Sequence, residues 1–390
     1  MRLLYWISAF VLAYTFVGYP ILIGFLAKLL PKHSPIPRGT SSPAPLSIVL
    51  VVFNGKEQIR SRLENLLAQD YPIHEVLVIC DGCTDGTPEE VATLLDSRII
   101  LVPNAVRSGK SACLNLGLQL AIGEIVVLTD VRQQFQPDTI SRLIDNFSDP
   151  QIGAVSGALE IKASSHAIGK GVDAYWNFEK SLRHAESAFD SCIGCTGAVY
   201  ALRRSLFQPI PQDTFLDDVV IPMQIAAAGS RVVFEPRAIA YDPQTLHPAR
   251  ESVRKRRTLA GNFQMLFRYP GWMLPWRNRL CVQLVSHKYL RLSAPFFLLT
   301  ILGANFLLLD QIFYRLLLLP QIGLYLFGVL GGFPFFKKIR LFSLPASFLF
   351  LNLMVVRGLL DYLFVNRGGL WESPSHCEQE ETSQNPSFRA

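Results

Sequence analysis

Apolar positions crowd the two ends of the chain, and regularly alternating segments fill its middle. Leu3 to Leu30 is almost uninterrupted hydrophobic sequence, with Lys28 near its end. A cleavable signal needs an apolar core of only about 7–15 residues, whereas spanning hydrocarbon takes roughly 20. The pattern therefore predicts a transmembrane α-helix over 1–30. The proline- and serine-rich stretch 31–45 reads as a linker. Three more apolar runs, Leu292–Leu309, Leu316–Phe333 and Leu341–Phe364, predict C-terminal membrane helices within 290–366, followed by a polar tail at 367–390. The last run contains Asn352, Arg357 and Asp361, which fits either a span with a polar face buried among helices or a partly interfacial one. Phe263–Tyr289 mixes aromatics with Arg268, Arg277, Arg279 and Lys288, a composition suited to helices lying in the interface.

Between these ends, residues 46–262 alternate short β-branched runs with helical periods. Leu46–Phe53 is a continuous apolar strand of the kind buried on both faces of a sheet. A helix over about Lys56–Ala68 follows, with Ile59, Leu63, Leu66 and Leu67 on one side. Further strands are expected at Glu75–Cys80, Arg98–Val102 and Glu124–Thr129, with a helix at Ser111–Ala121 before the last. This order implies an α/β fold with a doubly wound, mostly parallel sheet, whose ligands bind beyond the carboxyl ends of the strands.

Composition adds the location. Of 390 residues, 50% are hydrophobic and only 17% charged, so apolar ends flank a polar middle. The net charge of +6 comes from clusters at Arg250–Arg257 and at Lys337, Lys338 and Arg340. They sit beside apolar runs rather than among aromatics on a soluble face, so they indicate a lipid bilayer and no nucleic acid. Lys28, Lys32 and Arg38 follow the first span and only Arg2 precedes it. The positive-inside bias then places the central domain in the cytoplasm and predicts a multi-pass protein of the plasma (inner) membrane. Two C-x-x-C pairs, Cys80/Cys83 and Cys192/Cys195, lie over a hundred residues apart. That separation disfavours a compact zinc ribbon, and the odd count fits reduced, space-filling thiols.

The chemistry is carried by residues at strand ends. Neither G-x-G-x-x-G nor a Walker A sequence is present. Instead Asn54, Asp81 and Asp130 each follow a predicted strand. Carboxylates there suit nucleoside hydroxyls, base N–H groups and hard divalent cations bridging a diphosphate. Asp85 alone reads equally as a turn former or helix cap, and Asp217-Asp218 as an N-cap pair ahead of VVIPMQIAAAG. The glycine-rich SCIGCTGAVY, 191–200, is either an acceptor-site wall or close packing. Tyr175, Trp176 and Phe178 stand at helical spacing with Leu182, as core packing or a sugar-stacking face.

In order, SIVLVVFN, ICDGCTDGT, RSGKSACLNLGL, GEIVVLTD and LDD resemble glycosyltransferase family 2, the inverting GT-A type, over about 46–262. The flanking membrane helices resemble its synthase-like branch. The resemblance implies a nucleotide-diphosphate sugar donor, expected to be a UDP-sugar, and a glycan or lipid-linked acceptor. It implies that Asn54, Asp81, Asp85, Arg107, Gly109 and Lys110 bind the donor. Asp130 matches the first aspartate of D-x-D, a ligand of Mg²⁺ or Mn²⁺, and Asp218 the catalytic base, with Asp217 beside it. Arg254–Thr258 stands where processive members carry Q-x-x-R-W, and Arg257 matches its arginine. Four positions depart from the pattern. Gly55 replaces an acidic residue; Arg132 fills the second D-x-D position, so that the metal has one fewer carboxylate or the arginine itself meets the donor phosphates; Arg254 replaces the glutamine of Q-x-x-R-W and Thr258 its tryptophan. They leave two alternatives to single transfer: processive synthesis and a non-catalytic scaffold on the same fold.

Overall fold

The β-branched run that opens the central region forms strand β1 (Leu46–Val52), buried along its whole length. Side chains alternate across a strand. Ile48 and Leu50 therefore meet the helix Lys56–Leu67, while Val49 and Val51 meet the helix Lys110–Leu120. A strand covered on both faces must be apolar throughout, which explains the absence of polar alternation. The computed structural model describes residues 1–30, 44–161, 169–242, 248–336 and 339–365. Most of the expected linker, Lys337, Lys338 and the polar tail lie outside the described residues, as do the side chains of Tyr175, Trp176 and Arg250.

Seven further strands complete one sheet: β2 (Glu75–Asp81), β3 (Ile99–Asn104), β4 (Ile125–Asp130), β5 (Gln134–Phe135), β6 (Ile152–Ile161), β7 (Val199–Arg203) and β8 (Arg231–Asp242). Their order is β3-β2-β1-β4-β7-β6-β8-β5. The first four run parallel, in a register that sets Val51 of β1 opposite both Ile79 and Asp130. β7 enters antiparallel between β4 and β6, and β6 and β8 are again parallel to each other. The α/β sheet expected from the sequence is thus present, with β7 reversed inside it and the short β5 reversed at its edge. Sequence alternation did not reveal the reversal of β7 because strand direction is set by the long connection through residues 162–198.

Among the described residues four helices are long and apolar enough to cross a membrane: Arg2–Leu29, Cys281–Phe306, Ile312–Leu330 and Arg340–Phe364. Leu3, Phe10, Ile21, Leu299, Leu316 and Leu319 leave large apolar side chains uncovered by protein. The first helix widens to a π-turn over Tyr14–Gly18 just before Pro20, where the missing proline N–H and the ring's clash with the preceding turn disturb the ladder. The expected interfacial segment 263–289 is divided differently. Phe263–Arg268 ends the helix Pro248–Arg268, a short turn spans Pro270–Met273, and Cys281 already begins the second membrane helix. Phe267 and Trp276 are exposed on this stretch.

The contact that fixes the helix Lys110–Leu120 on the sheet is Gly117, where a Cβ would stand 2.5 Å from Val49 Cγ1. Replacing Gly117 with valine is expected to destabilise the domain by about 1–3 kcal/mol through overpacking. A Cβ at Gly303 meets nothing within 4 Å, so Gly303→Ala is expected to leave the unfolding midpoint unlowered. Thermal unfolding of the detergent-solubilised protein compares the two.

Candidate active site

Three elements converge at the carboxyl ends of the parallel strands. Lys110 opens its helix, Asp130 closes β4, and Asp217 begins the helix Asp217–Ala227. The Lys110 ammonium donates to Asp130 Oδ1 at 2.9 Å and lies 3.5 Å from Asp217 Oδ2. Burial opposes its charge, but Asp130, Asp217 and Asp218 outweigh that and hold the lysine above its ordinary range. Burial likewise works against the Asp130 carboxylate, yet Lys110, Arg132 and Arg254 keep it below the usual range. Asp217 behaves oppositely. Burial pushes its carboxyl up to about 6; Lys110 and Arg257 pull against the rise, while Asp218 and Asp130 add to it.

The backbone before Lys110 is shaped by Asp81. That carboxylate is fully buried and accepts the Ser108 amide at 2.6 Å and the Gly109 amide at 3.0 Å. Gly109 takes φ 90°, a conformation open to glycine and strained for other residues. Asp81 is therefore placed beneath the Arg107–Lys110 loop as its clamp. Arg107 stacks its guanidinium 3.8 Å from the Phe53 ring centroid, and its Nε and Nη2 are buried without a hydrogen-bond partner. Two unpaired donors on a planar cation form a fitting cradle for a nucleotide's oxygens.

Asn54 and Asp85 organise the facing turn. Asn54 adopts φ 51°, a left-handed conformation that asparagine tolerates, and its Oδ1 accepts the Thr84 amide at 2.9 Å. Asp85 accepts the Lys56 amide at 3.0 Å and the Thr87 amide at 3.0 Å, so it caps one helix and shapes the turn. A Cβ at Gly55 would lie 2.7 Å from Val52 Cγ2, so an acidic side chain at this position would require Val52 to shift.

Arg132 lies within electrostatic reach of Asp130 but makes its ion pair elsewhere. Its guanidinium is bidentate on Asp242 at the end of β8, at 3.1 and 2.7 Å. A buried carboxylate thus holds both arms of the fork in this structure. Among the described residues no three His, Cys, Asp or Glu side chains cluster to hold a metal. Asp130, ionised and with a side chain 26% exposed, still fits a divalent cation that takes one carboxylate and completes its shell with diphosphate oxygens and water.

Asp218 follows Asp217 in the first helical turn. Leu216 is the N-cap, and neither aspartate makes a capping bond, so the N-cap reading is corrected. Both carboxylates instead lie at the positive end of the helix. The glycine-rich loop wraps them: Cys195 N–H donates to the Asp218 carbonyl at 2.7 Å, and a Cβ at Gly197 would stand 3.2 Å from Asp218 Oδ2. Among the described residues the Asp218 carboxylate has no hydrogen-bond partner. Arg254 and Arg257 come from the helix Pro248–Arg268, within electrostatic reach of Asp130 and Asp217 respectively. Their neighbour Arg256 is bidentate on Asp361 of the last membrane helix, at 2.9 and 2.5 Å.

One supporting residue escaped sequence reasoning. Arg62 is fully buried behind β4, donating to the Asp130 carbonyl at 3.2 Å and Thr129 Oγ1 at 2.6 Å, with Phe135 beneath it at 4.2 Å. Burial lowers its pKa to about 9, against the pull of Asp130. The signal was available: Arg62 lies three residues after Ile59 and four before Leu66, on the helix's apolar face.

Residues 47–210 match the model of glycosyl transferase family 2. Poly-beta-1,6-N-acetyl-D-glucosamine synthases of Staphylococcus aureus (strain COL) and Staphylococcus epidermidis are 25% and 24% identical over 209 and 202 residues. These regions are 52% and 50% of this chain and 51% and 49% of those proteins, so the chain spans about half the length of the curated relatives it matches. Among solved structures, a mannosyltransferase from Pyrobaculum calidifontis in complex with GDP-Man and Mn²⁺ superposes with a TM-score of 0.68 at 23% identity, over 93% of this chain and 99% of that one. That likeness extends the shared fold to the helices on either side of the sheet. The strand-end carboxylates, the lysine among them and the family match lead to one assignment: residues 47–210 form a domain that matches glycosyl transferase family 2, on a GT-A-like fold.

Proposed function

We propose that the chain is a membrane-bound inverting transferase that moves a sugar from a nucleotide-diphosphate donor to a glycan or lipid-linked acceptor. The observation that carries this reading is the Lys110 ammonium between Asp130 and Asp217, with the Asp218 carboxylate unpartnered beside it. In this reading the GT-A domain, 46–262, is cytoplasmic between the N-terminal and C-terminal membrane helices.

Arg107 and Lys110 supply positive charge for the donor's diphosphate. The clamp of Asp81 on Ser108 and Gly109 keeps that loop in place, which lowers the ordering needed when the donor arrives. Asn54 and the Asp85 turn form the facing wall for the nucleoside. Asp130 would hold Mg²⁺ or Mn²⁺, which neutralises charge on the leaving diphosphate. The Mn²⁺ and nucleotide sugar bound by the Pyrobaculum structure support this cofactor and donor class. Asp218 takes the proton of the acceptor hydroxyl as that oxygen attacks the anomeric carbon. Arg257 contributes charge on the acceptor or diphosphate side. One displacement inverts the centre, so no enzyme nucleophile is needed.

Processive synthesis is the second reading, favoured by the synthases among the relatives. Against it, Thr258 is exposed at the position of the motif's tryptophan. The length of the product distinguishes the two.

Purified protein in detergent, given GDP-mannose and a panel of UDP-sugars with Mn²⁺ or Mg²⁺, is expected to consume one donor. Asp218→Asn is expected to lower turnover by about 10²–10⁴-fold while donor binding persists. Asp130→Ala is expected to weaken metal-dependent donor binding itself. No donor consumption by the wild type would favour the scaffold alternative, whereas normal turnover by Asp218→Asn would overturn the assignment of Asp218 as the base.

The raised Asp217 pKa makes a pH prediction. Its folded-state carboxyl titrates near 6 and an unfolded one near 3.9. Stability from this group is thus complete below about 4 and lost as pH rises through about 6. Relative to wild type, Asp217→Asn is expected to gain stability between pH 4 and pH 7. Unfolding midpoints of both proteins across that range check the sign, and a constant difference contradicts it.

A further inference from the structure

Cys83 departs from the space-filling role of the other cysteines. Among the six cysteines of the described residues it alone is not buried. It sits in the turn that follows β2, and its Sγ bridges two groups on the neighbouring segment. It accepts the Asn54 amide at 3.4 Å and donates to the Val52 carbonyl at 3.4 Å. Val52 ends β1 and stands opposite Cys80 in the β1–β2 register. The pairing of the two strands thus brings the Cys83 sulfur alongside Cys80, whose buried thiol is its hydrogen-bond partner.

The two thiols differ in reactivity. The bond from Cys80 draws the Cys83 thiol below its ordinary range; burial opposes the drop, and the Asn54 amide adds to it. Cys80 is driven the other way, by that same bond and by burial. Burial also raises Cys113, Cys192 and Cys195. A reachable thiolate beside a protected thiol is the arrangement of an attacking and a resolving cysteine. The surroundings link this pair to the nucleoside wall. Thr84, the next residue, donates its amide to Asn54 Oδ1 at 2.9 Å. On the other side, a Cβ at Gly82 would stand 2.7 Å from the Arg107 backbone nitrogen. A displacement of Cys83 is therefore felt both by Asn54 and by the loop that carries Arg107.

We propose that Cys80 and Cys83 form a peroxide-sensitive dithiol, whose oxidation to a disulfide opens the nucleoside wall and weakens nucleotide binding. The consequence for nucleotide binding rests on the transferase reading above; the oxidation does not. The Cys83 thiolate attacks one oxygen of the peroxide and the O–O bond breaks. The hydroxide that leaves takes up the proton Cys83 had released, and Cys83 becomes a sulfenic acid. The Cys80 sulfur then attacks the Cys83 sulfur, the S–O bond breaks, and the departing hydroxide takes the Cys80 proton as water. Two thiols and one peroxide become one disulfide and two waters, with two electrons passing from sulfur to oxygen. An S–S bond of about 2 Å pulls the Cys83 sulfur away from the Asn54 amide and the Val52 carbonyl.

The test treats the reduced full-length protein in detergent with hydrogen peroxide, caps the remaining thiols with N-ethylmaleimide and identifies the peptides by mass spectrometry. A Cys80–Cys83 disulfide is expected. The affinity of the same sample for UDP and GDP is expected to fall at least about tenfold, with dithiothreitol restoring it. Cys83→Ser is expected to lose the peroxide response, and Cys80→Ser to stop at a sulfenic acid on Cys83 that dimedone labels. Both thiols intact after peroxide, or Cys83 joined to a different cysteine, overturns the proposal. So does a disulfide that leaves nucleotide affinity unchanged. These readouts on the wild type need no variant to fold. Reduced protein that binds neither nucleotide counts against the transferase reading instead. Amide hydrogen exchange around Asn54, expected to quicken on oxidation, then decides the dithiol proposal by itself, and unchanged exchange overturns it.

Discussion

A single buried ammonium organises the candidate active site. Lys110 is held between Asp130 and Asp217, and those residues end a strand and begin a helix that are 87 positions apart in sequence. A lysine in such a place is stable only because the carboxylates are there, and the carboxylates tolerate each other's company only because of the lysine. The balance is uneven. Asp130 is kept ionised and Asp217 is pushed toward its neutral form. One carboxylate is thereby kept charged, and burial holds its neighbour above the usual carboxylate range.

Much of the surrounding structure exists to hold that arrangement in register. Asp81 fixes the loop ahead of Lys110, Gly117 lets its helix lie flat on β1, and Arg62 braces the carbonyl of Asp130 from behind. None of these three needs to touch a substrate. Each satisfies a buried polar group or removes a steric conflict, and an error in any of them would move the ammonium by a distance that matters to chemistry.

The helices outside the domain are tied to the same centre. Arg256 reaches Asp361 in the last membrane helix, and the helix that carries it also brings Arg254 and Arg257 toward the carboxylates. A Cβ at Gly358 would stand 2.7 Å from Leu259 Cβ, so the two helices lie close at that point. On the other side, His287 joins Glu179 and Glu186, and Tyr19 joins Glu186, linking the first two membrane helices to the domain. Ionic groups in apolar surroundings hold their partners firmly because the alternative is an unpaired charge.

The sequence by itself determined the parallel half of the sheet, the four apolar helices and the positions of Lys110, Asp130 and the Asp217-Asp218 pair. Those features are written in local periodicity and in the residues that end strands, which need no knowledge of distant contacts. It did not determine that β7 runs backwards between β4 and β6, because strand direction depends on where a long connection returns. It also left Arg132, Asp81 and Arg62 ambiguous. A charged residue's role is set by the partner it finds, and Asp242, Ser108, Gly109 and Thr129 lie 27 to 110 positions away from them. Only the folded chain brings those groups within hydrogen-bonding distance, and only there does an arginine at the second D-x-D position become a structural ion pair.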